Sequence, residues 1–136
     1  MFNIIIATHG HLAGEFLSVL QSFFGQTKKV KTVELGDQGI DQFSKKVENV
    51  VEPLVDEPVI IFCDIAGGTP FNEFAKKSTA WENESYLFGG VSLPVLVETL
   101  NLRMQNKPLK DVVDKIEKMV PLTRFELKNV KGDDDE

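Results

Sequence analysis

Two short polar stretches hold the residues best suited to chemistry. Thr8-His9-Gly10-His11 follows one apolar run, and Asp64-Ile65-Ala66-Gly67-Gly68-Thr69-Pro70-Phe71-Asn72 follows another. An imidazole has an unperturbed pKa of ~6.5, so at neutral pH it is largely a neutral nucleophile. One ring nitrogen can attack phosphorus only if the other carries the proton. A carboxylate accepting that N–H fixes the tautomer and steadies the cation that forms, as the third member of a hydrolase triad does. Asp64 is the candidate partner for His9. The Gly67-Gly68-Thr69 turn precedes a helix start, where free N–H groups and the helix dipole suit an anion. The glycines let backbone come close, and the Thr69 hydroxyl adds a donor.

Each of these residues also has a plainer reading. A histidine at a strand end is more often a loop residue, and an aspartate before Gly-Gly is often a turn residue. Thr69-Pro70 could be only a helix cap. The chain order carries the argument: strand then His9, strand then Asp64 with Gly-Gly-Thr-Pro. His11 competes with His9 but lies two residues on, where the first helix begins. It is read as a neighbour lining the pocket mouth. A His-x-His metal pair is weighed and set aside, since no Cys or third His completes a set.

Strand and helix patterns alternate around these stretches. Phe2 to Ala7 is a continuous apolar run, which suits a strand buried on both faces. Leu12, Phe16, Val19, Leu20, Phe23 and Phe24 fall at helical spacing, and Gly25 ends that helix. Val30 to Leu35 is a more mixed strand, nearer an edge. Ile40, Phe43, Val47, Val50, Val51 and Leu54 mark a second helix stopped near Pro53. Val59 to Cys63 is the most apolar strand. Thr69 as N-cap and Pro70 as first helical residue open a third helix. Tyr86 to Phe88 reads as a short fourth strand before Gly89-Gly90. Ser92, Leu93 and Pro94 start a helix with Leu96, Val97, Leu100 and Met104 inward. Another follows Pro108, with Leu109, Val112, Val113, Ile116 and Met119 on one face. Arg124 to Lys128 alternates polar and apolar, the period of a half-exposed edge strand.

This alternation predicts an α/β fold with a mainly parallel open sheet. In such sheets, sites form beyond the carboxyl ends of the strands, where strand order switches. The first and third strands are commonly neighbours there, so His9 and Asp64 would face each other across one crevice.

The chain has 136 residues, which suits one domain, taken as 1–130. The acidic end, 131–136, reads as a disordered, solubilising tail. The net charge of -6 offers no basic footprint for nucleic acid. No run approaches the ~20 apolar residues of a membrane span, and the N-terminus lacks the marks of a secretory signal. The single cysteine, Cys63, sits inside an apolar run and reads as a small buried hydrophobe, consistent with a reducing, cytoplasmic setting.

Three stretches together resemble a known family. They are Ile4-Ile5-Ile6-Ala7-Thr8-His9-Gly10, then Asp64 through Asn72, then Gly90-Val91-Ser92-Leu93-Pro94-Val95-Leu96-Val97-Glu98-Thr99-Leu100. They look like the signatures of the mannose-family enzyme IIA domain of the bacterial phosphoenolpyruvate-dependent sugar phosphotransferase system, over about residues 2 to 128. The resemblance implies four parallel strands flanked by helices, with a fifth strand near the C-terminus that some members exchange between subunits of a homodimer. It implies phosphorylation of His9, with Asp64 orienting the ring and Gly67, Gly68 and Thr69 around the phosphoryl group. The donor would be the histidine-containing carrier HPr and the acceptor enzyme IIB, with no metal or organic cofactor and only indirect contact with the membrane through the sugar permease. Phe71 is a candidate docking residue beside the pocket. Ile65 and Ala66 depart from members that carry a large aromatic here, and Thr69 stands where serine is also common. The chain looks like a free-standing IIA.

Other readings of the same fold are weaker. The phosphocarrier of dihydroxyacetone kinase systems also uses a histidine after the first strand, but Gly-Gly-Thr-Pro-Phe-Asn favours the sugar-transport type. A response-regulator receiver needs acidic residues after the first strand, where Ala7-Thr8-His9 stands. A histidine phosphatase would want arginine where Thr8 lies. A flavodoxin-like binding module is the last alternative, and a bound yellow flavin would mark it.

Overall fold

The computed structural model describes residues 1–120 and 122–127. Four strands, β1 (Asn3–His9), β2 (Val30–Leu35), β3 (Val59–Cys63) and β4 (Ser85–Phe88), form one sheet in the order β2-β1-β3-β4. Every neighbouring pair is parallel. Five helices connect and cover them: α1 (Leu12–Phe24), α2 (Ile40–Val51), α3 (Thr69–Ala75), α4 (Leu93–Met104) and α5 (Leu109–Ile116).

The sheet is buried on both faces, which explains the unbroken apolar runs of β1 and β3. Successive side chains take opposite sides. Ile4, Ile6, Ile60 and Phe62 pack with Leu20 of α1, Leu96 and Leu100 of α4, and Val112 and Ile116 of α5. Ile5, Ala7, Ile61 and Cys63 pack with Phe43 and Val47 of α2 and Phe74 of α3. Strand order reverses between β1 and β3, so the crevice of a doubly wound sheet lies at their carboxyl ends.

Local signals act where expected at several ends. Gly25 takes φ 75° after α1 and returns its N–H to Gln21. Pro53 lies in a short 3-10 turn, Glu52–Leu54, just past α2. Ser92 caps α4, its side chain accepting from the Val95 N–H. Two boundaries differ. β1 runs on to His9, because Thr8 and His9 pair with Glu34 and Leu35 of β2. The cap of α3 is Gly68, not Thr69; Thr69 is the first helical residue and its side chain makes no cap bond.

The expected C-terminal edge strand is corrected. Among the described residues the sheet has four strands, and Arg124 to Leu127 joins none of them. Leu122, Phe125 and Leu127 are exposed. An alternating segment becomes a strand only beside an open edge to pair with, and here it lies against none. Lys128 and the acidic tail 131–136 lie outside the described residues.

Candidate functional site

His9 is the last residue of β1, and Ala7 is level with Cys63, the last residue of β3. β1 thus projects past its neighbour, and Asp64, the first residue beyond β3, turns toward the projecting end. Asp64 Oδ2 accepts the His9 backbone N–H at 3.1 Å and lies 3.0 Å from His9 Nδ1. Its other oxygen accepts the Ile65 N–H at 3.0 Å. A carboxylate only accepts, so the contact assigns the ring proton to Nδ1 and leaves the lone pair on Nε2. The His9 side chain is 43% exposed and that of Asp64 is 11% exposed. The ring is partly exposed, with no described residue bonded to Nε2, while its orienting group is largely shielded.

The Gly67-Gly68 turn lies along the ring. Gly67 takes φ 80°, a left-handed conformation that favours glycine. A Cβ at position 68 would stand 3.0 Å from His9 Cε1, the carbon between the two ring nitrogens. The Gly68 N–H closes the turn onto Ile65 O at 3.1 Å, so it faces away from any ligand. The Gly67 and Thr69 N–H groups have no acceptor among the described residues. Asn72 holds the turn from below, its amide donating to Gly67 O at 3.0 Å.

The turn after β4 braces this loop. The Gly90 N–H donates to Asp64 O at 3.1 Å and the Val91 N–H to Cys63 O at 3.0 Å. A Cβ on Gly89 would meet Ala66 Cα at 2.4 Å. No Cβ contact is that short, so only glycine fits.

The described geometry accompanies a family match. Residues 3–117 match the family model EIIA-man, described as the PTS system fructose IIA component. The chain belongs to the EIIA-man family. It is 29% identical over 121 residues to the fructose-specific EIIA component of Bacillus subtilis strain 168, covering 88% of this chain and 82% of that one. It is 27% identical over 113 residues to the mannose-specific EIIAB component of Escherichia coli K12, covering 81% of this chain but 34% of that longer protein. The mannose/sorbose-specific IIA subunit of Enterococcus faecalis shares the fold, with a TM-score of 0.76 and 18% identity over 93% of this chain and 98% of that one. The chain is therefore a mannose/fructose-family EIIA component of the sugar phosphotransferase system.

In this EIIA chain most of the first turn of α1, beside β2, is engaged within the protein. The Ala13 N–H donates to Thr8 Oγ1 at 2.7 Å, the Gly14 N–H to Glu34 Oε2 at 2.9 Å and the Glu15 N–H to His11 O at 3.1 Å. Of the first-turn N–H groups of α1, only that of Leu12 has no acceptor among the described residues, whereas on the facing turn both the Gly67 and the Thr69 N–H groups are unpaired. His11 lies at the cap of α1, and its Nδ1 is 3.2 Å from Glu34 Oε1. Phe71 is half-buried and packs against the core on the side of α2 and α3. Leu12, Ile40 and Ile65 are exposed apolar residues near the carboxyl ends of β1, β2 and β3.

Sequence reasoning missed Glu34, Asn72 and Gly89. Gly89-Gly90 after a strand was a visible signal, but its contact with Ala66 joins segments far apart in the chain. Glu34 sits in a mixed strand among other charged residues and carried no signal. Cys63 is buried, and burial followed by the neighbouring Asp64 carboxylate pushes its thiol up to about 12. It takes no part in acid–base chemistry near neutrality. No helix among the described residues is long and apolar enough to cross a membrane.

Proposed function

We propose that this chain is a phosphocarrier of sugar uptake: His9 takes a phosphoryl group from phospho-HPr and passes it to enzyme IIB, which serves coupled sugar transport and phosphorylation. The observation that carries this reading is the 3.0 Å contact between His9 Nδ1 and Asp64 Oδ2, on a partly exposed ring whose Nε2 no described residue bonds. The lone pair on Nε2 attacks phosphorus in line. The phosphorus–nitrogen bond of the donor histidine breaks as the bond to His9 forms, and the electron pair leaves with the donor nitrogen. The proton stays on Nδ1, where the Asp64 carboxylate accepts its hydrogen bond and steadies the positive ring, as in hydrolase triads. Phosphoryl transfer is mostly positioning and charge stabilisation. The Gly67 and Thr69 N–H groups and the Thr69 hydroxyl are the donors available for the phosphoryl oxygens. Gly68 contributes clearance beside the ring.

The same reading sets the chain in the cytoplasm and makes it a homodimer. Support for the dimer comes from the exposed Leu122, Phe125 and Leu127, which a partner subunit would cover. A monomeric mass by light scattering at micromolar concentration counts against it.

The test of the carrier role is intact mass after incubation with phosphoenolpyruvate, enzyme I and HPr. One acid-labile phosphate is expected on wild type and on His11→Ala, and none on His9→Ala. An unmodified wild-type chain beside an active relay overturns the reading.

A further inference from the structure

His11 repeats the arrangement of His9 one strand over. His9 gives Nδ1 to Asp64 beyond β3, and His11 gives Nδ1 to Glu34 at the end of β2. The difference is exposure: the His11 side chain is 91% exposed, yet it is held. Glu34 is itself fixed, its second oxygen taking the Gly14 N–H at 2.9 Å. Gly14 makes room for it, since a Cβ there would meet Glu34 Oε2 at 2.8 Å. The loop below is tied to the same strand end, with the Gly10 N–H on Leu35 O at 2.8 Å.

Ordering an exposed side chain costs conformational entropy, and an exposed ion pair contributes little stability. Glu34 could satisfy Gly14 without any ring at position 11. What the arrangement yields is a preorganised imidazole at the rim of the site, two residues beyond His9. Its Nδ1 is engaged, and no described residue bonds its Nε2. Preorganisation raises affinity by reducing what must be ordered on binding.

Resting on the phosphocarrier reading, we infer that His11 is a recognition residue for the phosphodonor protein and that Glu34 is the positioning residue that holds it. Nε2 of His11 accepts a hydrogen bond from the donor's face. That face is basic, because the rim carries Glu15 and Asp41 in the first turns of α1 and α2, with Glu34, Asp37 and Asp64 at or just past the strand ends, against one ammonium, that of Lys46, which donates to Glu34 O at 3.2 Å. The donating group is thus a lysine or arginine.

The test is steady-state transfer from phospho-HPr to wild type, His11→Ala, Glu34→Ala and the double variant. Each is also phosphorylated with phosphoramidate, a small donor with no protein face. In His11→Ala the KM for phospho-HPr is expected to rise about five- to tenfold, the size of one lost interface contact, with kcat and the phosphoramidate rate unchanged. Glu34→Ala should raise KM similarly and add nothing in the double variant. Glu34→Gln, which keeps an acceptor for Gly14, replaces the alanine variant if that one does not fold. An unchanged KM in His11→Ala, or an equal loss with phosphoramidate, overturns the recognition role. Additive effects in the double variant overturn the assignment of Glu34 to His11. A wild type that phosphoramidate labels and phospho-HPr does not overturns the carrier reading, and this inference with it.

Discussion

The Cβ that Gly68 lacks would stand 3.0 Å from Cε1 of His9 and 3.3 Å from Ile65 O. Both are tighter than ordinary contact, so either the turn or the imidazole must give by a few tenths of an ångström. Small misplacements of a reacting group are expensive, at up to about 100-fold in rate for 1 Å. Gly68→Ala should therefore slow phosphorylation of His9 by roughly 10- to 100-fold, while thermal unfolding stays close to wild type. A rapid-quench time course with phospho-HPr measures it. A wild-type rate would mean that the ring does not need the clearance Gly68 leaves.

Asp64→Asn tests the charge and not the shape. The asparagine is nearly isosteric, but its side chain can turn an NH2 toward Nδ1 and so reverse the tautomer. The lost charge also leaves the positive ring unsteadied in transfer. A drop of at least about 100-fold in single-turnover transfer is expected, by analogy with triads that lose their carboxylate. Nitrogen NMR of the ring should show the proton leaving Nδ1 for Nε2. Full activity would remove Asp64 from the mechanism.

Much of this pair is legible in the amino-acid sequence. His9 and Asp64 each follow an apolar run, and a parallel sheet sends both strand ends to one side. The run at 59–63 is an unbroken strand because both its faces are covered. Less legible was whatever depends on two segments meeting. Glu34 reaches His11 and Gly14 only because β2 lies beside β1. Gly89 matters only because Ala66 is against it. The alternation from Arg124 onward makes a strand only beside an open edge, and the residues themselves do not say whether one is there.

Gly89→Ala makes the brace measurable. The added carbon would sit 2.4 Å from Ala66 Cα and 2.6 Å from its nitrogen. Both are backbone atoms, so no side-chain rotation relieves the contact. Overpacking of this kind costs about 1–3 kcal/mol, readable by urea unfolding. The Ala66 side must yield, and Asp64 is two residues from it. Transfer to His9 should slow together with the loss of stability. A variant that unfolds earlier but transfers at the wild-type rate would separate the brace from the site.

Glu73 should show in the acid limb of stability. Its carboxylate bonds Lys76 Nζ at 2.7 Å and also accepts from the Ser44 hydroxyl. Lys76 first, then Ser44, hold its pKa below the ordinary 4.5. A depressed folded-state pKa contributes stability that is present above the unfolded value and lost as pH falls through the folded one. Unfolding free energy should thus decline below about pH 4.5 through this group. Glu73→Gln should flatten that part of the profile and leave the neutral-pH slope alone. An unaltered acid limb in the variant would assign the loss to other carboxylates.

Arg103 supplies a control far from the phosphoryl chemistry. It is 7% exposed on α4 and lies 5.7 Å over the Phe2 ring. One Nη donates to Phe2 O at 3.0 Å and the other to Lys28 O at 2.6 Å, tying α4 to the starts of β1 and β2. Burial draws the guanidinium pKa down from its ordinary value, but an arginine stays charged at any physiological pH. Arg103→Met fills much of the volume yet leaves both carbonyls without a donor. Phe2 is buried and its unmet carbonyl costs about 1–3 kcal/mol, whereas Lys28 is exposed and water can replace the donor at its carbonyl, so a loss of about 1–3 kcal/mol is expected. Lysine should not restore it, because one ammonium lacks the fork that reaches both carbonyls at once. Below the unfolding transition His9 should still take phosphate at the wild-type rate, since these bonds lie at the opposite end of the strands. A slowed transfer in folded Arg103→Met would show that the amino end of the sheet reaches the site.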